Sequence, residues 1–121
     1  MSLTLIHDGL AGAALLFSAG AALWGLVRAV RKQGMDGSTW GILATGELLL
    51  LAQGAVGIAL WLGGARPERG IHVLYGVVMG LTLPAYYAIS RGRDDNRAAW
   101  AYAILWVFLA GIALRARTTG G

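Results

Sequence analysis

Only two histidines occur in the chain, His7 and His72, and each follows an isoleucine at the head of an apolar stretch. Neutral imidazole is the commonest protein ligand for metals and an axial ligand for haem iron. A single acidic residue, Glu47, interrupts an otherwise charge-free run. In hydrocarbon a carboxyl must face a protein interior or hold its proton, which suits a proton carrier or a hydrogen-bond partner for a quinone. Cysteine is absent, so disulfides, thiolate metal sites, iron–sulfur clusters and covalent haem attachment are excluded. No nucleophile triad, phosphate loop or metal-hydrolase motif is present. The paired glycines near 9–12 and 54–57 lie in apolar runs, where a dinucleotide fingerprint has no context.

The elements that must carry these residues follow from composition. Of 121 residues, 57 % are apolar and 13 % charged, with mean hydropathy +0.63. Soluble domains carry about 25 % charged residues. Ten basic and six acidic side chains cannot cover the surface of a soluble fold this small. Hydrophobicity excludes disorder, and the lack of a glycine period excludes collagen. Charge-free runs at 9–27, 48–65, 70–90 and 98–114 match the span of about 20 apolar residues that crosses a bilayer. They predict four transmembrane helices, about 4–31, 38–63, 69–91 and 96–115, in a single domain covering 1–121. Short connections make sequential helices antiparallel, so the expected fold is an all-α, up-down four-helix membrane bundle.

Charge sets the expected orientation. Arg28, Arg31, Lys32, Arg91, Arg93 and Arg97 flank the 1–2 and 3–4 loops; Arg66, Arg69, Arg115 and Arg117 lie at the opposite end. The bias favours both termini outside the cytoplasm, in a bacterial inner membrane. The first run has its charges after it, not before, so it is expected to be a span and not a cleaved signal. Trp24, Trp40, Tyr86, Tyr87 and Trp100 fall at the proposed cytoplasmic boundary and read as an aromatic belt, with Trp61 at the other face. The net charge of +4 sits at span ends, where it meets anionic lipid, so nucleic acid is not an expected partner. Pro84 frees the carbonyl of Gly80 and is expected to kink the third helix. Gln53 is expected to bond across helices.

A weak internal repeat runs through the chain. Ile6-His7 opens the first half and Ile71-His72 the second; Gly57-Ile58-Ala59-Leu60 closes the first and Gly111-Ile112-Ala113-Leu114 the second. This order is that of a duplicated helical hairpin, with a pseudo-two-fold axis along the membrane normal relating the histidines. Helices one and three run the same way and are usually diagonal, so both imidazoles lie at one depth and face each other across the core. Such a pair can clamp a flat macrocycle between two axial ligands. One turn below them stand Ala11 and Gly76, residues small enough to leave room for a ring edge. The stripe continues through Ala14, Ser18, Ala21 and Gly25, and such stripes are also how membrane helices pack closely. Arg69 and Arg115 would meet the propionates, or simply anchor helix ends. Asp8 or Glu68 could complete a zinc site, but two histidines without a strong third ligand are a weak zinc signature.

Axial histidines on a four-helix membrane bundle make the chain resemble the small membrane b-type cytochromes. It is also similar in outline to one half of heme A synthase, from which it departs in length, in carrying its histidines on helices one and three, and in lacking a glutamate–histidine loop signature. The resemblance implies non-covalent haem b, iron held by His7 and His72, and electron transfer with a quinone or a redox protein. An oxidoreductase subunit is the enzymatic form this would take. Two other functions fit the same residues. One is a cofactor-free structural or assembly subunit of a larger membrane complex. The other is a small proton-coupled transporter, a homodimer, using Glu47.

Overall fold

The computed structural model describes residues 2–67 and 70–119. Its regular elements there are four helices: α1 (Leu3–Val30), α2 (Gly37–Leu62), α3 (Ile71–Ile89) and α4 (Asn96–Thr119). Each is long and apolar enough to cross a membrane. Leu16, Leu62 and Ile89 are 75 %, 81 % and 82 % exposed, an outward display of large apolar side chains that suits lipid and not water. The helices start and stop close to the expected spans, except that α4 runs one turn further. Arginine is a good helix former, and its long stem lets the charge reach out beyond an apolar face, so Arg115 and Arg117 do not end the helix. α3 runs through Pro84 without a break in the helix.

Polar side chains start α1, α2 and α4, whereas α3 follows Gly70 without a side-chain cap. Ser2, Asp36 and Asp95 each accept a backbone N–H from the first turn they precede, from Leu5, Thr39 and Ala98 respectively. Three helix ends share one closure. Lys32, Gly64 and Arg91 adopt positive φ, and the residues after them bond back to Arg28, Leu60 and Tyr87. These are Schellman motifs, which satisfy the last carbonyls of α1, α2 and α3.

Neighbouring helices are antiparallel. α1 packs on α2 and α4, and α3 packs on the same two, leaving α1 diagonal to α3. The α1–α4 seam is the most extensive and the α2–α3 seam the thinnest. Ala14, Ser18, Ala21 and Gly25 are buried, and a Cβ on Gly25 would lie 3.1 Å from that of Ala103. The small stripe below His7 is therefore taken up largely by close packing within the chain. Gly46 lets α2 approach the rings of Phe17 and Trp106. A strict two-fold would make the α1–α4 and α3–α2 seams alike, and they are the extremes. Gly57 packs on His7, whereas its sequence counterpart Gly111 meets nothing. The two hairpins share a residue order but not a packing pattern.

Candidate functional site

The antiparallel order brings the start of α1, the end of α2, the start of α3 and the end of α4 to one end of the bundle. His7 and His72 meet there across the diagonal. Their ring centroids are 6.2 Å apart and the ring planes cross at 69°. Both residues are half-buried.

Each ring is positioned by a helix end. The last four carbonyls of a helix have no intrahelical donor. Ala116 carries one of these, and His72 Nδ1 lies 3.1 Å from it. A carbonyl only accepts, so Nδ1 carries the hydrogen in this contact, and in neutral imidazole the lone pair then belongs to Nε2. This is the arrangement in which an outer hydrogen bond fixes the tautomer and orientation of a ligating histidine. The extra turn of α4 is what brings Ala116 within reach. On the other side, Gln53 Nε2 donates to the His7 carbonyl at 3.0 Å. Gly57, one turn further along α2, seats the His7 ring: a Cβ there would lie 3.3 Å from Cε1. His7 Nδ1 is buried with no hydrogen-bond partner, as is Gln53 Oε1.

The remaining expected site residues divide. Ala11 is half-buried below His7. Gly76 is exposed and a side chain there would enter open space, as it would at Gly54 on the facing α2. Arg115 is exposed near the His72 end of α4. Arg69 and Glu68 lie outside the described residues. Arg66 is committed elsewhere: its guanidinium stacks 4.3 Å over the Trp61 ring and donates to the carbonyls of Trp61 and Ala65. Among the described residues no three His, Asp or Glu side chains gather into a metal cluster. Gly57 and Ala116 were not singled out from sequence; Arg117, expected at this end with the other arginines, reaches its guanidinium toward Gly12. Only the repeated Gly-Ile-Ala-Leu hinted at Gly57, and nothing in the residue order hinted at a carbonyl or at a side chain folding back across a seam.

Glu47 belongs to a different place. It lies ten residues before Gly57 on α2, about 15 Å along the axis. With Leu43, Leu48, Leu83, Pro84 and Tyr87 it lines a cavity of about 450 Å³ at the thin α2–α3 seam. Neither carboxyl oxygen has a hydrogen-bond partner, and both are shielded from solvent. Thr82 donates to the Val78 carbonyl one turn back and not to Glu47.

Comparison with protein-family models, with curated proteins and with solved structures returned no match.

Proposed function

We propose that the chain is a membrane-embedded b-type cytochrome in which His7 and His72 hold one haem b. The observation that carries this reading is the 6.2 Å separation of the two rings. At that separation both imidazoles would be within reach of a single iron, given metal–nitrogen bonds of about 2 Å. The donor set also fits: His72 is oriented through Nδ1 by a backbone carbonyl, and His7 keeps a buried nitrogen unpartnered. Gly54 and Gly76 leave side-chain-free space about a turn below the pair, on the side where α2 and α3 are least tightly joined. Arg115, Arg117 and Arg69 would offer guanidinium groups to the propionates. Bound haem supplies a one-electron couple whose potential its axial ligands help to set. The chain's own part is to hold both imidazoles at one depth, fix the tautomer of His72 and keep water from the core. Electron transfer with a quinone or a redox partner is the role proposed, in a bacterial inner membrane with both termini outside the cytoplasm.

The test is an absorption spectrum of protein purified in detergent. A Soret band with split visible bands on reduction is expected, and His72→Ala should lose most of its haem. Protein that stays colourless after haem supplementation during expression and after reconstitution would overturn the reading.

A further inference from the structure

We propose that the Glu47 cavity is a binding site for a lipophilic organic cation, which exchanges there with the proton of the carboxyl. The cavity lies about 15 Å along α2 from the residue that seats His7, so the site is separate from the histidine pair and independent of the haem reading.

The argument is one of complementarity. The cavity holds about 450 Å³, within the range of small-molecule sites. Its walls are almost wholly apolar, and Leu48, 68 % exposed, marks the side open to lipid. A ligand therefore arrives through the bilayer with an apolar body. Glu47 supplies the single carboxyl. A buried polar group without a partner is costly, and a buried charge without one is costlier, so a carboxylate here calls for a cation beside it. Among the described residues no basic side chain stands ready to neutralise it. α1 has no charge between Asp8 and Arg28, α3 none within Ile71–Ile89 beyond the distant His72, and α4 none between Arg97 and Arg115. The titratable side chains on the same half of the facing helices are the phenols of Tyr86, Tyr87 and Tyr102, and of these Tyr87 lines the cavity. Its ring packs edge-on against Trp40 and its hydroxyl reaches the Gly92 turn. An aromatic side chain and a carboxyl at one apolar site suit a delocalised cation. A quinone has acceptors at both ends of its ring and would find a donor at one.

The exchange balances. A rotation of the Glu47 side chain brings its carboxyl to the cavity, the cation enters, one carboxylate–cation ion pair forms, and one proton leaves for each cation bound.

The probe is tetraphenylphosphonium, titrated into the protein as purified and in lipid nanodiscs. Binding should release close to one proton per cation. Protons compete for the site, so affinity should fall about tenfold for each pH unit on the acid side of the Glu47 titration and level off above it. The cation should also protect Glu47 of the unaltered protein from a hydrophobic carbodiimide, read by peptide mass. Glu47→Gln should abolish proton release and weaken binding at least about tenfold, and Glu47→Asp should retain proton-linked binding. Cation binding that is pH-independent or unchanged in Glu47→Gln would overturn the proposal. So would absence of protection, or protection by a short-chain ubiquinone and not by the cation. The protection experiment uses unaltered protein, so it decides even if the Gln variant does not fold.

Discussion

At Lys32 and Arg91 the chain puts a basic side chain where turn geometry favours glycine. Both have positive φ, 60° and 55°, at the closing residue of a Schellman motif, while the third such turn uses Gly64. A residue with a Cβ gives up roughly 1 kcal/mol in that conformation. Glycine would remove that strain but would enlarge the freedom of the unfolded chain, which returns part of the gain. Lys32→Gly should therefore stabilise the protein by a few tenths to about 1 kcal/mol, seen as a small rise in Tm in detergent. A fall in Tm would mean that the lysine makes a contact worth more than the strain. The neighbouring Asp36 shows the opposite arrangement, with every feature in agreement. Its carboxylate accepts from the Thr39 hydroxyl at 2.6 Å and the Thr39 N–H at 2.8 Å, and pairs with Arg28 at 3.1 Å. The two Thr39 bonds first, and Arg28 second, hold this carboxyl below the usual carboxylate range. It is therefore ionised throughout the neutral range, and Arg28 keeps its partner there.

Between helices, the seam of α1 with α4 is the most extensive, and within it a Cβ on Gly25 would lie 3.1 Å from that of Ala103. Gly25→Leu would drive a branched side chain into the Ala103 backbone. Overpacking of this kind costs about 1–3 kcal/mol, so Tm should fall clearly. Gly20→Leu, where a side chain meets nothing, should leave it within error. Comparable losses from both would remove the seam from the argument. The same comparison shows what was readable before any fold was known. Charge-free runs located the helices because charge is expelled from hydrocarbon whatever the tertiary structure. Their parity placed His7 and His72 at one end, and Gln53 could be expected to cross a seam because a membrane offers it no other partner. The unequal seams could not be read. Helices apolar on every side carry little moment to say which face turns inward. For that reason the α2–α3 cavity at Glu47, the seating of His7 on Gly57 and the return of Arg117 over Gly12 came only from the assembled bundle. The duplicated Gly-Ile-Ala-Leu even pointed the wrong way, toward equivalent roles for Gly57 and Gly111.

For the whole molecule, the proposed orientation rests on a small difference in charge joined to a large amount of structure. Six basic residues flank the 1–2 and 3–4 loops against four at the other end. Those two loops are tied together after insertion. Asn96 donates to the carbonyls of Ala29 and Gln33, Met35 N–H donates to Asp94, and Arg28 donates to Gly34. A Cβ on Gly34 would collide with the Asp94 carbonyl, so the loops also touch directly. These bonds hold whichever side of the membrane the loops occupy and cannot choose between orientations. The choice falls to the arginines and lysine, and carboxylates such as Asp94 and Asp95 contribute little to it. Neutralising Arg91, Arg93 and Arg97 with glutamine leaves three basic residues against four. Among the described residues the side chains of Arg91 and Arg97 make no bond to the loop knot, and Arg93 pairs with exposed Asp95. The triple variant should therefore fold as before while losing its preferred orientation. The chain has no cysteine, so single cysteines at Gln33 and Thr4 report on each side through a membrane-impermeant maleimide. In the parent background Thr4→Cys should label in intact spheroplasts and Gln33→Cys only after permeabilisation. In the triple variant both should label partially. Retention of the parent pattern would show that orientation is set by something other than loop charge, with the insertion order of α1 the first alternative to examine.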